Sequence, residues 1–149
     1  MKNFVKKILA GMFFFLFLQG CKKDESEYGP KPEIEFVSIS PGTVKAFSDS
    51  VVITIKYTDG DGDLGENVSG VENAFVTDTR TSLTYGLRIR QLAPDNANII
   101  IQGNIDLILP ALGHSGGSGS ESAAFQVYVK DRAGNQSNVV STSAVNVTP

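Results

Sequence analysis

From Glu33 to the C-terminus the apolar residues of this chain recur with a period of two, and no stretch carries the 3.6-residue period of an amphipathic helix. Alternate side chains of a strand point to opposite faces, so this pattern restricts the segment to β-structure in which each strand buries one face. Ile34 and Phe36 alternate with acids, and Val37 and Ile39 then change phase ahead of Pro41-Gly42, which predicts a bulged first strand. Val51, Ile53, Ile55 and Tyr57 share one face of the next run, and residues 74–77 form a weaker strand. Leu83, Tyr85, Leu87 and Ile89 alternate with Thr84, Arg88 and Arg90, whose arginines should face solvent. After the turn marked by Asp95-Asn96, a long alternation places Ile99, Ile101, Ile105, Leu107 and Leu109 opposite Gln102, Asn104 and Asp106. Phe125, Val127 and Val129 lead into the turn Asp131-Arg132-Ala133-Gly134-Asn135, and residues 139–147 return as the final strand.

About seven short antiparallel strands separated by turn signals predict an all-β, immunoglobulin-like β-sandwich over residues 33–149, with a small barrel as the alternative. Cys21 is the sole cysteine and tryptophan is absent, so the disulfide and buried Trp of antibody domains are missing. Residues 113–120, rich in Gly and Ser, read as a mobile loop. With the strands assigned as A, B, C, C′, E, F and G, the turn after strand B and the turn at 131–135 fall at the same end of the sandwich. Asp131 and Asn135 are thereby expected near Asp59, Asp61 and Asp63.

Those three aspartates belong to Thr58-Asp59-Gly60-Asp61-Gly62-Asp63-Leu64-Gly65-Glu66, which follows strand B directly. A pair of like charges about 6 Å apart costs between ~0.7 kcal/mol in water and ~3 kcal/mol at an effective dielectric near 20, so the loop invites a cation. Hard oxygen ligands on a flexible Asp/Gly turn suit Ca²⁺ better than Zn²⁺ or copper. The expected ligand set is Asp59, Asp61, Asp63 and Asp131. The segment is not an EF-hand, because Leu64 stands where the invariant Gly belongs and Gly70 where the bidentate Glu belongs. Asp-Gly pairs also supply the backbone angles of tight turns without any ion, and that alternative stands beside the calcium reading.

The N-terminus reads as a targeting segment. Lys2, Lys6 and Lys7 precede the apolar run 8–18, which is too short for a comfortable membrane span, and Leu18-Gln19-Gly20-Cys21 ends it. Leu-x-Gly-Cys resembles the lipobox of bacterial lipoproteins, although Gln19 replaces the small residue more usual there. That resemblance implies a signal peptide over 1–20 and acylation of Cys21, with two or three chains giving stable anchoring. Residues 21–32 are polar and proline-stiffened, as expected of a flexible tether. Within it, Lys23-Asp24-Glu25 resembles the surface-export signal of Bacteroidetes lipoproteins. The expected location is the outer membrane, lipid-anchored and at the cell surface, with its periplasmic face as the alternative. Removing the three N-terminal lysines takes the net charge from −3 to −6, and no basic stripe remains to bind nucleic acid.

Gly113-His114-Ser115-Gly116-Gly117 satisfies the nucleophile-elbow pattern but lacks its context. An elbow needs a helix after the serine, whereas residues 116–120 are Gly and Ser, and the chain's only histidine lies inside the motif. No His/Cys cluster or phosphate-cradling loop is present, so the reading is non-enzymatic. The lipobox, the Asp-Gly-Asp-Gly-Asp-Leu-Gly turn, Gly103-Asn104-Ile105, and the run from Val129 through Asp131-Arg132-Ala133-Gly134-Asn135 to Asn138 together resemble small Ig-like lipoproteins of the Bacteroidetes type. The last hairpin also resembles that of bacterial Ig-like adhesion modules. These resemblances imply a surface binding or adhesion domain whose partner is a glycan or an envelope protein. The alternatives are a saccharide-active enzyme using the acidic end and a structural accessory subunit of an envelope complex.

Overall fold

The computed structural model describes residues 28–149, so the signal peptide, Cys21 and the export signal Lys23, Asp24 and Glu25 lie outside the described residues. Ten strands follow in order: β1 Glu33–Ser40, β2 Thr43–Lys45, β3 Val51–Asp59, β4 Ala74–Asp78, β5 Thr84–Leu87, β6 Ile101–Leu109, β7 Glu121–Ala123, β8 Phe125–Val129, β9 Val140–Ser141 and β10 Val145–Thr148. One sheet has the order β1-β3-β6, a second β5-β4-β8-β9, and a third β2-β10-β7. All pairings are antiparallel except β2 with β10, which is parallel. The first sheet is the A-B-E layer of an immunoglobulin-like sandwich and the second its C′-C-F-G layer, so the domain is a sandwich rather than a barrel.

The period-two runs become the inner faces. Val51, Ile53 and Ile55 of β3 are fully buried, as are Val76, Phe125, Val127 and Val129, and they meet Ile34, Leu107, Leu109, Val145 and Val147 in one core. The phase change in β1 is a bulge between Phe36 and Ser38, which turns Val37 out to solvent. Arg88 and Arg90 are exposed as expected.

Several expectations need correction. Seven expected strands are ten because β2 adds to the A strand, Ala124 interrupts F between β7 and β8, and G divides into β9 and β10. Residues 139–147 do not form one strand: β9 pairs with β8, whereas β10 joins β2 and β7. At the break the Thr142 hydroxyl accepts from the Phe125 N–H at 3.0 Å, so a side chain takes the place of a ladder bond and releases the chain to change partners. Leu83 and Ile99 were assigned to buried faces but are exposed, because the ladders begin only at Thr84 and Ile101, and Ser82 and Asn98 before them have positive φ. Residues beyond a ladder have no neighbouring strand to hold their alternation.

Candidate metal site

The B–C loop runs from the end of β3 to the start of β4, and the F–G loop follows β8. The two meet as the topology requires. Leu64 and Asp131 form an isolated antiparallel bridge, the Arg132 N–H donates to the Asp63 carbonyl at 3.2 Å, and Arg132 Nη1 donates to the Gly65 carbonyl at 2.8 Å. Glycines allow the loop to be gripped from both sides. A Cβ on Gly60 would lie 2.3 Å from the Gly29 carbonyl oxygen, and one on Gly62, where φ is +77°, would lie 2.6 Å from that of Ile99.

This grip turns three carboxylates inward. Asp59, at the end of β3, has no solvent exposure, and its Oδ2 accepts from the Leu64 N–H at 2.7 Å. Asp63 Oδ2 accepts from the Ala133 N–H at 3.0 Å. In both the other oxygen is left over, and Oδ1 of Asp59, of Asp63 and also of Asp61 is buried without a hydrogen-bond partner among the described residues. One ligand oxygen from each of the three aspartates lies within 4.8 Å of the others. Two ligands of a single ion can be no further apart than twice the metal–oxygen distance, about 4.6–5.2 Å for Ca²⁺, so the trio fits one such sphere.

Asp131 is placed beside this trio but outside it. Both of its oxygens accept from Asn135, Oδ1 from the backbone N–H at 2.7 Å and Oδ2 from the side-chain amide at 2.8 Å. Its carboxylate closes the F–G turn and adds negative charge to the cluster. The two residues that topology brought to the acidic loop therefore bond chiefly to each other.

The electrostatics follow from burial without compensation. Removal from water pushes the Asp59 carboxyl up to about 6, and the charges of Asp61, Asp63 and Asp131 add to the rise against the opposing Leu64 N–H. Asp63 is raised mainly by burial and then by Asp131 and Asp61, against the Ala133 N–H and Arg132. Burial, aided by Asp59, also raises Tyr57. At 4.8 Å and an effective dielectric near 20, each ionised pair costs about 3.5 kcal/mol, which is more than one backbone hydrogen bond recovers.

Around the acids the surface is partly apolar. An open cleft of about 570 Å³ is lined by Tyr28, Pro30, Gly60, Asp61, Asn98, Ile99 and Ile100. A second, of about 730 Å³, borders Asp61 and Asp63 on the side of Asp95, Asn96 and Arg132. Tyr28, Ile99 and Ile100 are large apolar residues left exposed here. The stretch assigned to the tether comes in at this end: Asn135 Nδ2 donates to the Pro30 carbonyl at 3.5 Å, and Pro32 is buried.

A second polar cluster lies at the opposite end and was not anticipated from sequence. Arg80 forms ion pairs with Asp78 at 2.6 Å and Glu121 at 2.7 Å, and its Nη2 reaches the Gly113 carbonyl. Ser115 of the elbow-like motif donates its hydroxyl to Glu121 at 2.7 Å, and His114 Nε2 is 2.9 Å from the Gly119 carbonyl. The loop expected to be mobile is thus tied at its start, and the serine hydroxyl is bound to a carboxylate rather than to an imidazole. The only local signal was Asp78 two residues before Arg80; Glu121 is 41 residues further on. Comparisons with protein-family models, with characterised proteins and with solved structures find no match.

Proposed function

We propose that this protein is a lipid-anchored, non-enzymatic binding module whose B–C loop holds one Ca²⁺ through Asp59, Asp61 and Asp63. The observation that carries the reading is that Asp59, Asp61 and Asp63 each bring a carboxylate oxygen within 4.8 Å of the others and each keep a buried Oδ1 without a partner among the described residues. Unpaired buried acceptors and like charges both cost free energy, and a hard divalent ion offsets both at once. Turn chemistry alone does not account for them, because the oxygens that serve the turn are the other ones, Oδ2 of Asp59 and of Asp63. Two open clefts flank Asp61, which favours contact with an extended surface over a buried small substrate. The lipobox-like Leu18-Gln19-Gly20-Cys21 supplies the anchor in this reading.

The test is isothermal titration calorimetry and thermal unfolding of residues 21–149 carrying Cys21→Ser, in Ca²⁺, Mg²⁺ and chelator. The expected result is one site, a higher midpoint in Ca²⁺ than in chelator, and a smaller rise with Mg²⁺, which demands a stricter octahedron. Equal midpoints in Ca²⁺ and chelator, with no heat of binding at millimolar Ca²⁺, would exclude the site.

A further inference from the structure

We infer that the acidic end is a calcium-dependent docking surface for phosphate-bearing lipid headgroups of the membrane that carries the anchor. The inference rests on the reading above, and its support comes from where the chain enters the domain. Glu33, the first residue of β1, pairs with Thr58 one residue before the acidic loop, and the Tyr28 and Gly29 carbonyls press against Gly60 within that loop. Six residues lie between Cys21 and Tyr28, which makes seven steps along the chain, and a fully extended chain spans at most about 3.6 Å per step. An acylated Cys21 therefore holds this end within about 25 Å of the headgroups, with the far end of β3 one strand-length further off, about 26 Å at 3.3 Å per residue.

The surface so presented suits a lipid interface only when an ion is bound. Tyr28, Ile99 and Ile100 are exposed and line one cleft with Asp61, so apolar side chains stand beside the cluster at the edge nearest the anchor. Aromatic and aliphatic residues in such a position enter the headgroup boundary. Without the ion, Asp61, Asp63 and the exposed Asp95 line one cleft with Arg132, the buried Asp59 and Asp131 add negative charge behind them, and an anionic surface repels this end. Ca²⁺ lowers this repulsion and supplies a direct attraction, because three carboxylate ligands leave part of its six to eight oxygen positions for phosphate oxygens. The ion then bridges protein and lipid while the apolar rim is buried. In its absence the domain stands off on its tether.

The experiment uses the full acylated chain reconstituted in vesicles of phosphatidylcholine with 30% phosphatidylglycerol, compared with phosphatidylcholine alone, both containing nitroxide-headgroup lipid as quencher. Acylation consumes the only native thiol, so a fluorophore is attached at Ile100→Cys or, as the distal control, at Ser48→Cys, which is exposed beyond the other end of β3. Ca²⁺ is expected to quench the Ile100 label several-fold on anionic vesicles, reversibly with chelator, and to leave the Ser48 label unchanged. Asp61→Asn should abolish the quenching. Ile99→Ser should reduce it, because it removes one apolar side chain of the rim. If Ca²⁺ binds by calorimetry and the Ile100 label is not quenched, or if both labels respond alike, the docking surface is refuted and the metal site stands. Absence of a heat of Ca²⁺ binding, or of acyl mass on the purified chain, refutes instead the reading beneath it.

Discussion

Asp61→Asn separates a metal site from a turn more sharply than any other single change. In the wild type, saturation of a site that only the native state possesses adds RT ln(1 + [L]/Kd), about 2.7 kcal/mol at a hundredfold excess over Kd. For about 120 residues with an unfolding entropy near 2.1 cal/mol/K each, that corresponds to a rise in Tm of roughly 10 °C. Asp61 accepts no backbone turn bond among the described residues and brings a carboxylate oxygen within 4.8 Å of those of Asp59 and Asp63, so its neutral isostere removes two repulsions and little else. Each pair has a ceiling of about 3.5 kcal/mol at a dielectric near 20, and solvent at the half-exposed Asp61 screens the relief to about 1–2 kcal/mol. In chelator at pH 7 the variant should therefore melt about 4–8 °C above the wild type, and in Ca²⁺ it should gain nothing further. Differential scanning calorimetry of the two proteins in both buffers measures the four midpoints. A variant that melts below the wild type in chelator would refute the reasoning, because it would mean that Asp61 serves the turn.

Other outcomes follow from the same geometry. Because burial raises Asp59 from 3.8 to about 6, the native state holds its proton more tightly than the unfolded chain does. Stability in chelator should thus fall by about 3 kcal/mol as the pH rises through that interval and level off above it, and Asp59→Asn should flatten the difference seen in urea titrations. Phe125→Ala removes a fully buried ring from the centre of β8 and should cost roughly 3–5 kcal/mol; a loss below about 1 kcal/mol would contradict its place in the core. Cys21→Ser should abolish metabolic labelling with a radioactive fatty acid, and persistent labelling would overturn the anchor. Replacing Lys23, Asp24 and Glu25 together with Ala should protect the protein from external protease on intact cells, whereas unchanged digestion would remove the export signal from the argument.

The strands were legible in sequence wherever their burial is one-sided. Val51, Ile53, Ile55 and Tyr57, or Phe125, Val127 and Val129, announce their shared face because a two-residue period has no other use in a packed sheet. The bulge at Val37 was legible for the same reason, as a break in that period. Strand ends were not, and Leu83 and Ile99 continue the alternation into segments with no partner to bury them. Partners are a property of the ladder, and local sequence does not state where it stops.

The acidic loop divides in the same way. Its charge, its glycines and its coincidence with the 131–135 turn at one end of the sandwich follow from sequence and topology alone, because strand order dictates which loops share an end. Sequence did not distinguish the Asp131 carboxylate, committed to Asn135, from the three whose Oδ1 atoms are buried without a partner. Nor did it bring Tyr28, Gly29 and Ile99 against the loop glycines, or join Arg80 to Glu121. Charge and period are written in the order of residues along the chain. The direction of a carboxylate oxygen, and what lies within hydrogen-bond reach of it, depend on backbone angles and on segments distant in sequence, which only the folded chain brings together.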